Sequence, residues 1–252
     1  MKAMILAAGL GTRLRPLTDE RPKALVEVDG RTLLEIALER LREFGIRDVV
    51  INAHHFADKL IEYLDAHDRF GMRIAVSQEA VLLDTGGGLK KAAHFFLEDV
   101  ASAKADEPIL VHNVDVLSTI DLARMAAAHT AKKALATLAV QERKTARYLL
   151  FDEHGQLCGR RLGEVATAEV VRHARQVQAR AFAGIHIVSP RIFAKLSEDG
   201  AFSIITSYLR LAGAGETILA FPADGAYWRD AGRPEGLEQA AEDLKEGRVG
   251  KR

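Results

Sequence analysis

The chain has 252 residues, 48% hydrophobic and 28% charged, an ordinary composition for a soluble globular protein with room for one large α/β domain or two small ones. Its 35 lysines and arginines balance 35 aspartates and glutamates, and a formal net charge of zero removes the usual electrostatic case for nucleic acid or an anionic membrane as partner. The single cysteine, Cys158, excludes an intrachain disulfide and suits a reducing compartment.

In chain order, residues 4–8 form an apolar run that reads as a buried parallel strand. The run is short and meets Gly-Thr-Arg in place of a cleavage-like site, so it is not read as a signal peptide. No apolar stretch approaches the roughly 20 residues a membrane helix needs, and a cytoplasmic location is expected. Residues 25–28 read as a short extended piece ending at the Asp29-Gly30 turn. Thr32 followed by Glu35 is a capping box, opening a helix with Leu33, Leu34, Ala37, Leu38 and Leu41 at helical spacing and closing at Phe44-Gly45. Val49-Val50-Ile51 is a second strand, residues 56–64 a helix, and residues 73–77 a third strand. Thr85-Gly86-Gly87-Gly88 reads as a glycine loop leading into a helix through Ala92, Ala93 and Phe96. A fourth strand, 108–111, runs into His112-Asn113-Val114-Asp115; residues 122–129 are helical and 135–140 a fifth strand.

This βαβα rhythm predicts a Rossmann-like, mostly parallel sheet flanked by helices, with ligands at the carboxyl ends of its strands. After Tyr148 the texture changes. Residues 148–159 read as an antiparallel hairpin, 164–176 as an exposed loop and 181–188 as a strand. A helix starts at Pro190, another spans 204–212, and 218–221 is a strand. Tyr227-Trp228-Arg229-Asp230 is a short strand ending in an acid, and Pro234 opens a last helix to Lys245. No internal repeat or linker interrupts the chain. The expected organisation is one domain over 1–246, with a nucleotide-binding half over about 1–140, a smaller β-rich half over about 141–246 and a frayed tail at 247–252.

The first strand breaks into Gly9-Leu10-Gly11-Thr12-Arg13, followed by Arg15-Pro16-Leu17-Thr18 and Arg21-Pro22-Lys23. Glycines let backbone N–H groups approach phosphate oxygens, Arg offers a planar fork and Lys a compact charge, so the stretch points to a phosphate-handling site. It is not the dinucleotide loop: Leu14 stands where the third glycine belongs, and the second strand ends in Ile51-Asn52-Ala53-His54 without an acid. It is not a Walker A loop either, since no G-x-x-x-x-G-K-[ST] run occurs.

The residues Ala7-Ala8-Gly9-Leu10-Gly11-Thr12-Arg13-Leu14-Arg15-Pro16-Leu17-Thr18, then Pro22-Lys23, resemble the signature of the sugar-phosphate nucleotidyltransferases, the NDP-sugar pyrophosphorylases. The resemblance covers most of the chain and is nearest to short single-domain members, among them N-acetylmuramate-1-phosphate uridylyltransferases and mannose- or heptose-1-phosphate guanylyltransferases. Longer relatives carry a β-helix acyltransferase domain that would begin beyond residue 252. It implies a reaction between a nucleoside triphosphate and a sugar-1-phosphate, giving an NDP-sugar and pyrophosphate, with Mg²⁺ as cofactor and a monomer or homodimer as the working unit.

The resemblance also implies roles. Arg13 is expected on the leaving β- and γ-phosphates, and Lys23 at the α-phosphate and incoming phosphate. Ala8, Gly9, Gly11 and Thr12 would form the nucleotide loop. Glu79, Gly86 and Gly87 resemble the segment that meets the base edge. Asp115 and Asp230 are the expected metal acids, although Val114 replaces the glycine of the family's G-D pair; Asp230 lies in Trp228-Arg229-Asp230-Ala231-Gly232-Arg233-Pro234-Glu235, close to the family's W-x-D-x-G-x-P-E. On the sugar side, Phe182-Ala183-Gly184-Ile185 resembles an F-x-G-I strand and Gly159 a sugar-contacting hairpin. There the chain departs from its relatives, with Gly159-Arg160-Arg161-Leu162 where G-W-x-N is common. The competing expectation is a regulatory protein of the same fold that binds nucleotide or NDP-sugar without turnover. The scattered histidines lack zinc-binding spacing, and no G-x-S-x-G elbow occurs.

Overall fold

The computed structural model describes residues 1–98, 107–163 and 168–249. The first half contains β1 (Ala3–Leu6), β2 (Glu27–Val28), β3 (Arg31–Thr32), α1 (Leu33–Glu43), β4 (Asp48–Ala53), α2 (Ala57–Ala66) and β5 (Arg73–Gln78). Next come α3 (Asp84–Lys91), α4 (Ala93–Leu97), β6 (Ile109–Asn113), β7 (Val116–Ser118), α5 (Leu122–Ala131) and β8 (Ala136–Gln141). The second half contains β9 (Arg147–Phe151), β10 (Leu157–Leu162), β11 (Glu169–Val170), β12 (Gln178–Val188), α6 (Ile204–Gly213), β13 (Ile218–Pro222), β14 (Trp228–Asp230) and α7 (Pro234–Lys245).

A ten-stranded sheet runs through both halves in the order β11-β10-β9-β12-β6-β1-β4-β5, with β8 paired to β12 and β13. Its centre, β6-β1-β4-β5, is parallel. β12 lies antiparallel to β6, β8 and β9 and so joins the hairpin half to the parallel half. Alternation along β1 divides the core: Ala3 and Ile5 belong to one buried cluster, with α1 and α2, and Met4 to a second, with α3 and α6. Burial of four α1 leucines (33, 34, 38 and 41) at 0% exposure supplies about 1.5–3 kcal/mol each. Thr32 Oγ1 accepts from the Glu35 amide at 3.1 Å, as the capping box predicts, and Gly45 at φ 74° ends the helix.

Five local features differ from expectation. Gly86, Gly87 and Gly88 lie inside α3, not in a loop ahead of it. The reason is close packing. A Cβ on Gly86 would strike the Phe202 ring, one on Gly87 would strike the Gly200 carbonyl, and one on Gly88 would lie 2.7 Å from Asn52 Nδ2. β7, which no sequence pattern marks, forms a two-stranded sheet with β14. Its three residues are too few to show a period. The helix begun at Pro190 is a 3₁₀ helix, Pro190–Lys195. Of the expected loop at 164–176, residues 164–167 lie outside the described residues, and β11 follows as an edge strand on β10. The described part of the tail is docked: Val249 is buried and the Arg248 amide donates to the Asp243 carbonyl at 2.9 Å. Residues 250–252 lie outside the described residues.

Candidate active site

The glycine loop leaves the carboxyl end of β1. Gly11 adopts φ 64°, a left-handed conformation that favours glycine, and Thr12–Leu14 form a 3₁₀ turn behind it. Thr18, buried, donates from Oγ1 to the Gly11 carbonyl at 2.9 Å, and the Leu14 amide donates to the same carbonyl at 2.8 Å. The loop is therefore held by its own downstream residues, which leaves Gly9, Thr12 and Arg13 exposed. Lys23 opens a second 3₁₀ turn after Pro22.

Asp115 follows β6 by two residues and immediately precedes β7. β14 lies antiparallel to β7 with Asp230 opposite Val116, and the Ala231 amide donates to the Asp115 carbonyl at 2.8 Å. That pairing brings together two acids 115 positions apart in sequence. The Asp230 carboxylate accepts from the Gly232 amide at 2.8 Å, which fixes its direction. Asp115 Oδ2 pairs with Lys23 Nζ at 2.7 Å, with both side chains largely shielded.

Gly232 marks the meeting point. A Cβ there would overlap Asp115 Oδ2 and lie 2.9 Å from Asp230 Oδ1 and 3.2 Å from Arg13 Nη2. Lys23 Nζ in turn lies 4.0 Å from where a Cβ on Gly9 would stand. So the structure gathers Gly9, Arg13, Lys23, Asp115 and Asp230 around one small space, with Gly232 keeping it open. Two convergent carboxylates suit Mg²⁺, which takes one or two carboxylates and completes its shell with phosphate oxygens and water. Among the described residues no group of three or more His, Cys, Asp or Glu side chains forms a metal cage.

The expected base-side residues occupy a neighbouring network. Glu79 is 3% exposed; its carboxylate accepts from Asn52 Nδ2 at 2.7 Å and from the Leu83 amide at 3.0 Å. Asn52 Oδ1 accepts from the Ala7 amide at 2.7 Å, so Glu79 steadies the strand end that leads into Ala8 and Gly9. Gly88 stands over this network, whereas Gly86 and Gly87 pack against Phe202 and Gly200. No motif in the sequence gives Asn52, Thr18, Gly88 or Gly232 a separate role. Asn52 does carry a signal, a polar side chain at the carboxyl end of a buried parallel strand.

On the sugar side, Gly184 adopts φ 74° at an irregularity in β12, where a Cβ would lie 2.8 Å from Asn113 Nδ2. Phe182 is half-buried, edge-on to His186 at 5.6 Å. Gly159 pairs with Val170, and the Glu169 carbonyl fills the space a side chain would need. Among the described residues no hydrogen bond joins Gly159 to Asp115 or Asp230.

Comparison with known proteins gives the family. Residues 2–247 match the family described as Nucleotidyl transferase. The chain belongs to that family. It is 35% identical over 251 residues to N-acetylmuramate alpha-1-phosphate uridylyltransferase of Caulobacter vibrioides, covering 97% of each chain. It is 28% identical to D-glycero-alpha-D-manno-heptose 1-phosphate guanylyltransferase of Aneurinibacillus thermoaerophilus, over 97% of this chain and 99% of that one. Against the mannose-1-phosphate guanyltransferase of Yarrowia lipolytica identity is 30%, over 93% of this chain but 61% of the longer protein. Among solved structures, HddC from Yersinia pseudotuberculosis complexed with GMP-PN superposes with a TM-score of 0.75 at 22% identity, covering 96% of this chain and 99% of that one. UDP-glucose pyrophosphorylase complexed with UDP-glucose superposes with a TM-score of 0.75 at 19% identity, covering 98% of each. These two likenesses establish the mixed α/β nucleotidyltransferase fold. Among the described residues no helix is long and apolar enough to cross a membrane.

Proposed function

We propose that the protein joins a nucleoside triphosphate to a sugar-1-phosphate, releasing pyrophosphate and an NDP-sugar, in a single domain over 1–246 and in the cytoplasm. The observation that carries this reading is the convergence of Arg13, Asp115 and Asp230 on the space at Gly232, with Lys23 bonded to Asp115. A regulatory binder would need no such set of two acids and two cations.

A sugar-phosphate oxygen attacks the α-phosphorus; one P–O bond forms as the bond to the pyrophosphate oxygen breaks. Both reactants are anions, so the barrier falls when fixed cations hold them in line and stabilise the developing charge. Arg13, exposed and borne on the glycine loop, holds the β- and γ-phosphates. Lys23 is directed by its pair with Asp115 to the α-phosphate and the incoming phosphate. Asp115 and Asp230 would hold Mg²⁺, which when bound supplies charge neutralisation between phosphate oxygens. The backbone of Ala8, Gly9, Gly11 and Thr12 cradles the nucleotide, and the Asn52–Glu79 network keeps its strand end in place.

The decisive experiment is a matrix of UTP, dTTP, GTP and CTP against sugar-1-phosphates, scored by pyrophosphate release. Release from one or a few pairs is expected. Nucleotide binding without release from any pair would overturn the enzyme reading in favour of a sensor.

A further inference from the structure

Two arginines on the sugar side are used by nothing described above. Arg143 follows β8 by two residues. Its guanidinium carbon sits 3.7 Å from the ring centroid of Trp228, and its Nη2 donates to the Phe182 carbonyl at 2.8 Å. Trp228 is itself anchored, its Nε1 donating to the Ala183 carbonyl at 2.7 Å, and it precedes Asp230 by two residues on β14. Arg161 lies on β10 opposite Tyr148, with its guanidinium carbon 4.9 Å from that ring's centroid.

Both arginines carry a buried Nε with no hydrogen-bond partner among the described residues. Neither forms an ion pair there, whereas their neighbours do: Arg160 pairs with Glu169 at 2.6 Å and Arg180 with Glu142 at 3.1 Å. A buried N–H left without an acceptor is costly and calls for a partner. The sheet places Arg161 on the same side as Gln141, two residues before Arg143. Gln141, Ala181, Tyr148 and Arg161 stand opposite one another across β8, β12, β9 and β10, so they share a face. On that face Gln141 Nε2 donates to the carbonyls of Ala223 and Ala226, at 2.9 and 3.0 Å, on the segment leading to Trp228.

We propose that Arg143, stacked on Trp228, and Arg161, stacked on Tyr148, form an oxyanion-binding subsite that selects the sugar phosphate. A guanidinium held flat on an aromatic ring presents its N–H edge in a fixed plane, which matches a carboxylate or phosphate bidentately. The oxyanion is either the 1-phosphate or an acidic group on the sugar ring. The inference rests on the nucleotidyltransferase reading of the neighbouring acids.

Trp228 is the only tryptophan in the chain, so its emission reports on this subsite directly. Glucose 1-phosphate and glucuronic acid 1-phosphate, which differ by one carboxylate, are titrated against wild type, Arg143→Gln, Arg161→Gln, the double Gln variant and Arg143→Lys. Wild type is expected to change emission with at least one probe. The double Gln variant should weaken that binding at least tenfold, raise KM for the sugar phosphate in parallel and leave KM for the triphosphate within twofold. Arg143→Lys, which keeps the charge but not the fork, should fall between. Loss of both probes assigns the subsite to the 1-phosphate, and loss of the glucuronate probe alone assigns it to a sugar carboxylate. Unchanged sugar-phosphate affinity in the double variant, or an equal rise in both KM values, overturns the inference. So does a wild-type chain that responds to neither probe. Arginine-dependent binding without pyrophosphate release from any pair would instead fail the proposed reaction and leave the subsite standing.

Discussion

Gly232 does its work by having no side chain. A methyl group there would overlap Asp115 Oδ2 and crowd Asp230 Oδ1 and Arg13 Nη2. Gly232→Ala is therefore expected to cut kcat at least 100-fold while shifting Tm by only a few degrees, since the residue lies in a turn outside the hydrophobic clusters; a retained kcat would show that the space is not used. Asp115→Asn tests the acid itself. Its carboxylate binds Lys23 in the free protein and would bind Mg²⁺ in the working one, so turnover should collapse while nucleotide affinity, measured by calorimetry, changes less. Lys23→Ala removes the cation proposed for the α-phosphate and also leaves Asp115 without its partner. It should cripple turnover, and a normal rate would move that role to another cation.

At the scale of elements, α3 shows glycines used for approach and not for bending. Gly87→Ala puts a methyl group onto the Gly200 carbonyl, a backbone atom that cannot swing aside. The expected cost is about 1–3 kcal/mol of stability by urea unfolding, despite the gain in helix propensity. Histidines in two other elements make stability depend on pH. Burial lowers His129, on α5, to about 4, with Arg191 adding to the shift. Burial lowers His186, on β12, to about 3, with His112 adding to the shift. His129 faces Thr137 Oγ1 at 2.9 Å and His186 faces Tyr208 Oη at 2.5 Å. Both folded values lie below the unfolded histidine value of 6.5, so the unfolded chain binds more protons in acid. Their contribution is intact above pH 6.5 and declines as pH falls toward 4 and 3. The stability measured between pH 7 and 4 should fall, and His129→Gln should make that fall shallower; an unaltered slope would rule out His129 as a source.

For the whole molecule, the candidate site is closed by the long-range pairing of β7 with β14. Arg13 and Lys23 come from the first strand's loop, Asp115 from the middle of the sheet and Asp230 from the end of the chain. Chelation by EDTA should therefore abolish pyrophosphate release, restored by Mg²⁺, while Tm in the absence of nucleotide moves by no more than about 2 °C. A large drop in Tm would mean that the acids repel one another without a metal and that Lys23 does not suffice to balance them.

By itself the sequence determined the parallel strands, the capped helix α1, the glycine loop after β1 and the family. These features are local: apolar runs, a Thr-x-x-Glu cap and a contiguous signature each carry their cause within a few residues. It also singled out Asp115 and Asp230, but as separate strand-end acids. Only the tertiary structure decided that they share a space with Arg13, because that depends on β7, three residues long, pairing with a strand more than a hundred positions away. It likewise decided that the α3 glycines pack inside a helix, that Asn52 and Glu79 brace the loop, and that Arg143 and Arg161 lie on aromatic rings. A glycine's purpose is set by what approaches it, and an arginine's by whether a carboxylate lies within reach. Both are properties of neighbours distant in sequence, which no periodicity or motif along the chain records.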